Sequence, residues 1–334
     1  MKRYNDYSLL KHNTFGIDVK ADEFIEYESV DELKAIIPEL KERKVLHIGG
    51  GSNLLFTGDF HGVILHSGIK FIETKAVDSD YVTLSVGAGV VWDELVEYTV
   101  KHGWGGLANL SLIPGEVGAA AVQNIGAYGA EAKDVITLVK AIDLATGEER
   151  EFKNQDCNYA YRQSIFKNEL KGRYAITQVE IKFSKNVPSD LTYGNLTKAM
   201  EGRTVNPENL RQTVIDVRNS KLPQPEILGN AGSFFMNPVV SQEKFERLWE
   251  EYPDMPYYYV EGGVKIPAGW LIEMAGWKGR ALGDAAVYSK QALVIVNLKH
   301  GIKTADHILE LAKTIIYDVK MILGIDISPE VNFI

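Results

Sequence analysis

An α+β fold built from more than one unit follows from three features of this 334-residue chain. Strand-like and helix-like segments alternate through the first third. A glycine-rich stretch without periodicity then interrupts them, and a segment dense in Pro, Gly and Asn precedes a second run of helices and strands. Composition supplies the core: 45% of the residues are hydrophobic and 24% charged, the balance of a globular protein of two or three domains.

The first helix is expected over Ser29 to Arg43, where Ser29 and Glu32 have capping-box spacing. Strands are expected at Lys44 to Ile48, Gly62 to His66 and Tyr81 to Val86. A second helix, Val91 to His102, stops at Gly103. Beyond it Gly105 to Gly129 carries Gly115, Gly118, Gly126 and Gly129 and shows little periodicity. Further strands are expected at Leu138 to Asp143, Glu149 to Phe152 and Tyr174 to Phe183. A helix from Pro207 to Asn219 leads into KLPQPEILGNAGSFFMNP, which reads as a linker into a new unit. That unit has a helix at Gln242 to Glu251, a helix after Pro267, a strand at Ala292 to Asn297 and a long helix at Ala305 to Leu323. Gly324 to Ile334 reads as extended.

Charge narrows the function. The formal net charge is -9, from 36 Lys and Arg against 45 Asp and Glu, with no long basic run, so nucleic acid is not an expected partner. A local pocket of a few cations for a small anion stays open. Cys157 is the only cysteine, which excludes an intramolecular disulfide and a thiolate metal cluster and suits a reducing compartment. The segment MKRYNDYSLLKHNTFGID lacks the apolar stretch of a signal peptide, and no segment is long enough to span a bilayer. The expectation is a cytoplasmic protein without membrane insertion. The seven histidines show no H-x-x-x-H spacing, and no catalytic metal is expected.

Five motifs carry candidate chemistry. In IGGGSNLLF, Gly49, Gly50 and Gly51 precede Ser52, Asn53 and Leu54; the glycines let successive N–H groups converge on an anion, with a diphosphate as the natural guest. The dinucleotide fingerprint fails at Leu54, and no G-K-S or G-K-T follows for a P-loop. In SLIPGEVGAAAVQNIGAYG the backbone is bare around Pro114, Gly115, Gly118, Ala119 and Gly126, beside Gln123, Asn124 and Tyr128. A flat ring such as an isoalloxazine could approach it closely. Either glycine stretch could equally be a structural loop. In NYAYRQSIFK, Arg162 lies among aromatic and apolar neighbours, where a guanidinium can hold a carboxylate bidentately or form an ordinary ion pair. In GNAGSFFMNP, Ser233 lies between Gly232 and the nearby Asn237, as a proton donor or a common turn; no G-x-S-x-G elbow makes it a hydrolase nucleophile. In SPEVNFI, Glu330 has an apolar setting that can keep a carboxyl group protonated.

Taken in order, GGGSN, SLIPGEVGAAAVQNIGAYG, YRQSIFK, LTYGN, RNSKLPQP, GSFFMNP, QALVIVN and SPEVNF resemble the UDP-N-acetylenolpyruvoylglucosamine reductase (MurB) family of flavoenzymes of peptidoglycan precursor synthesis. The resemblance runs from Asn13 to the C-terminus. It implies an α+β protein with a two-subdomain FAD-binding module of the p-cresol methylhydroxylase type at 1–67 and 68–218. A C-terminal α/β substrate-binding domain at 219–323 would follow, and 324–334 would return to the flavin. Arg162, Ser233 and Glu330 match the family's active-site positions, with Ser233 as proton donor. Tyr193, Lys221, Asn237, Tyr257 and Gln291 match positions that hold the sugar nucleotide, with Tyr258 and Tyr259 adjacent to Tyr257. Tyr193 in SDLTYGNL marks the form that closes a tyrosine-bearing loop over the substrate diphosphate. Gly50 and Ala119 to Ala121 sit where family members vary. The implied cofactor is bound FAD, the donor NADPH, and the substrate UDP-N-acetylglucosamine enolpyruvate, reduced to UDP-N-acetylmuramate. Two alternatives keep part of the motif set: a flavin oxidase, which would consume oxygen rapidly, and a flavin-free sugar-nucleotide protein, which would be colourless.

Overall fold

The helix Val30–Leu40 shows how the sequence sets the first layer. Its buried residues Leu33, Ile36, Ile37 and Leu40 recur at three- and four-residue steps and so share one face. Ser29 Oγ accepts from the Glu32 N–H at 3.1 Å, and the Glu32 carboxylate accepts from the Glu28 N–H at 2.7 Å. The reciprocal bond therefore lands one residue before the cap, not on it as in a capping box. The apolar face packs against Ile25, Tyr27, Val63 and Leu65.

Those four residues come from a four-stranded sheet ordered Lys2–Ser8, Lys20–Tyr27, Phe60–Ser67, Val45–Ile48. Its last three strands run parallel. A second sheet, wholly antiparallel, has the order Glu149–Lys153, Ile136–Asp143, Tyr174–Ser184, Tyr81–Gly87, Ile72–Val77. Ile142 and Ala175 of this sheet enter the core under Val30–Leu40, which joins the two layers. The helix Trp92–Lys101 buries Trp92, whose indole N–H donates to the Leu110 carbonyl at 3.0 Å.

The glycine-rich stretch is not all loop, as its lack of periodicity suggested. Val117–Gln123 is an α-helix with Val117, Gly118, Ala120 and Ala121 buried, and its small side chains leave no apolar contrast for a period to register.

The structure, a computed structural model, describes residues 1–188, 191–192 and 196–334. It divides into two compact units. The first comprises Met1–Tyr7, Ala21–Gly51 and Phe60–Arg218; the second comprises Ser8–Lys20, Ser52–Asp59 and Asn219–Ile334. Residues 8–20 and 52–59 of the expected 1–67 range fall in the second unit, the rest of 1–67 lies with 68–218 in the first, and 324–334 is part of the second unit. The last follows from pairing: Asn332–Phe333 adds as a parallel strand to Leu54–Leu55.

The second unit also holds an antiparallel sheet ordered Gly229–Asn230, Ile295–Asn297, Ala285–Val287, Ala281–Leu282, and a three-stranded sheet ordered Val239–Val240, Gly263–Lys265, Tyr258–Val260. The helix Asp306–Leu323 buries Ile308, Leu311, Ala312, Ile315, Val319 and Leu323 and ends at Gly324, whose φ of 64° is left-handed. Among the described residues no helix is long and apolar enough to cross a membrane.

Gly229 tests how tightly the second unit is closed. A Cβ there would overlap the Phe15 carbonyl oxygen and carbon, whereas one on Gly58 would meet nothing within 4 Å. Gly229→Ala is expected to cost about 1–3 kcal/mol in urea unfolding, and Gly58→Ala less than about 0.5 kcal/mol. Equal costs would contradict this packing.

Candidate active site

In the first unit the two glycine-rich stretches meet. A Cβ on Gly49 would lie 3.0 Å from Ala119 Cβ and 3.2 Å from a Glu116 carboxylate oxygen, and one on Gly50 would lie 3.5 Å from Gly115 Cα. A Cβ on Gly118 would lie 2.9 Å from Ala88 Cβ. Gly51 and Gly115 have φ of 69° and 113°, a region that side chains disfavour. Backbone thus lies bare on both sides of the contact. Main-chain N–H groups with so little side chain around them suit the diphosphate and flat ring of FAD. Pro114 is exposed at its edge. A second feature fits an acceptor from outside the chain: Nε of Arg218 is buried without a hydrogen-bond partner among the described residues. Burial lowers the pKa of this guanidinium, with Tyr128 and Asp93 opposing that effect.

Arg162 sits in the same unit, on a tight turn with φ of 56°. Its guanidinium donates to the Gly126 carbonyl at 2.6 Å and the Asn124 carbonyl at 3.2 Å, and stands over the Tyr161 ring at 5.0 Å. The fork is therefore pinned on main-chain acceptors. Tyr128, with φ of 49°, presents its carbonyl to the Asn109 side chain at 2.9 Å.

Ser52, Asn53 and Leu54 open a segment of the second unit. Asn53 donates from its amide to the Glu330 carbonyl at 3.3 Å and accepts the Asn332 N–H at 3.0 Å. The Glu330 N–H donates to the Phe234 carbonyl at 2.9 Å, and the Phe234 N–H to the Leu293 carbonyl at 2.8 Å. These bonds bring the Ser233 turn, the Gln291 strand entry and Glu330 together. Ser233 is exposed beside the buried Phe234 and Phe235, on a turn fixed by the bond from Gly232 N–H to Asn230 Oδ1 at 2.9 Å. Asn237 accepts the Ala268 N–H at 2.9 Å, at the start of the helix Ala268–Met274. Gln291 Oε1 would lie 3.0 Å from a Cβ on Gly269 in that helix.

Two further expected ligand residues are Lys221 and Tyr257. Lys221 is exposed at the end of the helix Pro207–Lys221. Tyr257 packs in an aromatic cluster, its ring 4.6 Å from Phe245 and 5.4 Å from Tyr259. Tyr193 lies outside the described residues. Among the described residues no group of three or more His, Cys, Asp or Glu could hold a metal ion.

Sequence reasoning missed a buried polar network under the glycine bed. His66 bonds to Glu116 at 2.8 Å through Nε2 and to Glu26 at 3.0 Å through Nδ1, and Tyr27 bonds to His47 at 2.7 Å. Strand position alone gave no reason to single out these histidines. Burial opposes charge on His66, but Glu116 and Glu26 outweigh it and raise its pKa above the ordinary 6.5. Burial, with the nearby His66, pushes His47 down to about 3. A raised folded-state pKa adds stability below the unfolded value that is lost as pH climbs through the folded value. The cost of His66→Gln should therefore be largest below about pH 6 and shrink toward higher pH. Denaturation midpoints across that range check it; a cost independent of pH would contradict the paired, charged His66.

Comparison with known proteins accounts for both units. An FAD-binding domain model matches residues 21–153, and the UDP-N-acetylenolpyruvoylglucosamine reductase C-terminal domain model matches residues 224–334. The chain is 51% identical to the UDP-N-acetylenolpyruvoylglucosamine reductase of Bacteroides fragilis, covering 98% of this chain and 99% of that one. It is 47% identical to that of Porphyromonas gingivalis, covering 98% of each. The crystal structure of UDP-N-acetylenolpyruvylglucosamine reductase (MurB) from Thermus caldophilus shares the fold at a TM-score of 0.67 and 23% identity, over 99% of this chain and 98% of that one. Identity of this extent along the whole length shows that the chain belongs to the UDP-N-acetylenolpyruvoylglucosamine reductase family, with an FAD-binding domain followed by the reductase C-terminal domain.

Proposed function

We propose that this protein reduces UDP-N-acetylglucosamine enolpyruvate to UDP-N-acetylmuramate, with NADPH as donor and FAD as cofactor, in the cytoplasmic synthesis of peptidoglycan precursors. The observation that carries the reading is 51% identity to a reductase of that name over nearly the full length of both chains. FAD, when bound, supplies hydride chemistry between NADPH and the vinyl carbon. Gly49 to Gly51 with Ser52 to Leu54, and Gly115 to Ala119, are the segments that would hold it.

The chain's own residues handle charge and protons. Addition of a hydride to the terminal vinyl carbon leaves negative charge on the neighbouring carbon and its carboxylate. Arg162 offers a fixed guanidinium to that charge, and a donor already oriented needs no reorganisation as charge develops. Ser233 Oγ gives its proton to the carbon; its exposed hydroxyl on an anchored turn suits that task. Glu330 can assist only when protonated, since an ionised carboxylate would repel the same charge. Asn237, Gln291, Lys221, Tyr257 and Tyr193 orient the sugar nucleotide, with the Lys221 ammonium supplying positive charge for its diphosphate.

Ser233→Ala separates proton donation from everything before it. Flavin reduction by NADPH should stay within about threefold of the parent, while reoxidation by the enolpyruvyl substrate slows by about 10²–10⁴-fold. Stopped-flow measurement of the two half-reactions checks this, and equal loss in both would refute the role of Ser233.

A further inference from the structure

Asn124 ends the helix Val117–Gln123 in the left-handed conformation, with φ 46° and ψ 61°, and is fully buried. A buried amide is kept only where its groups are bonded, so its partners show what it holds in place. Nδ2 donates to the Ala160 carbonyl at 2.8 Å and to the Glu131 carboxylate at 3.2 Å, and Oδ1 accepts the Lys133 N–H at 2.9 Å. The main-chain carbonyl of the same residue accepts Nη1 of Arg162 at 3.2 Å.

Ala160 opens the turn that carries Arg162. The turn is closed by paired bonds, Ala160 N–H to Gln163 O at 3.2 Å and Gln163 N–H to Ala160 O at 3.0 Å, leaving Tyr161 and Arg162 at its tip. One residue thus grips the turn at its base through the side chain and the guanidinium at its tip through the backbone. Two further bonds hold the same piece: Ser164 Oγ to the Val122 carbonyl at 2.7 Å and Lys167 Nζ to the Arg162 carbonyl at 3.0 Å. The left-handed φ of Arg162 persists because its surroundings over-determine it.

We propose that Asn124 is a positioning residue for Arg162, its amide fixing the turn and its carbonyl fixing the guanidinium, so that the cation stands in one orientation before substrate charge develops. The inference rests on the role given to Arg162 above. Displacement of a catalytic group by about 1 Å can cost about 100-fold in rate.

Asn124→Gly keeps the left-handed backbone and the carbonyl but removes the amide. In the flavin-loaded protein, reduction by NADPH should stay within about threefold, while the first-order rate of reoxidation by UDP-N-acetylglucosamine enolpyruvate falls by about 100-fold with little change in substrate affinity. Because the amide acts through the guanidinium, Asn124→Gly should add little to the loss caused by Arg162→Ala. A full reoxidation rate in Asn124→Gly, or losses that multiply in the double variant, would overturn the inference. If Arg162→Ala itself reoxidises normally, the reading of Arg162 fails first and the inference falls with it. Asn124→Asp carries the same test should the glycine variant not fold, since it keeps the acceptor for Lys133 while opposing Ala160 O and Glu131.

Discussion

Close approach of main chain to main chain, where Gly49 and Gly50 lie against Gly115 and Ala119, is the constraint on which the first unit depends. A single methyl group at Gly49 would press on both Ala119 and the Glu116 carboxylate. Small residues therefore recur on both sides of the contact, and the helix Val117–Gln123 is Val, Gly and Ala up to its last residue, Gln123, with no larger apolar residue. Glu116 ties this bed to the parallel sheet below through His66, and His66 reaches on to Glu26. A buried charge network of this kind is costly unless every member is paired, which fixes the geometry of the glycine bed as well as its chemistry.

A different economy governs the second unit. Its candidate proton donor and acid are placed by backbone bonds, from Glu330 to Phe234 and from Phe234 to Leu293, with the Asn53 amide closing on the Glu330 carbonyl. Main-chain bonds hold the Cα positions of Ser233 and Glu330 in a sheet-like network, independent of their side chains. Arg162 follows the same rule in the first unit, where carbonyl oxygens of Asn124 and Gly126 orient its guanidinium.

Much of this was legible in the sequence, for reasons that can be named. The helix Gln242–Glu251 was bounded correctly because Ser241 caps it and Phe245 and Leu248 mark one face. The strand expected at Tyr174 to Phe183 is legible because Tyr174–Ser184 is buried along most of its length. Lys2–Ser8 and Ile72–Val77 were missed because they are edge strands of their sheets, largely exposed, and carry no apolar alternation. The placement of 52–59 with the C-terminal unit was also hidden, since the pairing of Leu54–Leu55 with Asn332–Phe333 spans most of the chain. Glycine content pointed to the bed, and motif order singled out Arg162, Ser233 and Glu330 as candidates. The partners that position them are largely main-chain carbonyls, which every residue possesses, so no residue type announces them.

The central claim is that one flavin takes electrons from NADPH and gives them to an enolpyruvyl sugar nucleotide. An anaerobic titration of the yellow, FAD-loaded protein tests it most directly. NADPH should bleach the flavin absorbance, and one equivalent of UDP-N-acetylglucosamine enolpyruvate should restore it with formation of UDP-N-acetylmuramate. A protein that binds no flavin, or a reduced flavin that stays bleached in the presence of that substrate, would contradict the account.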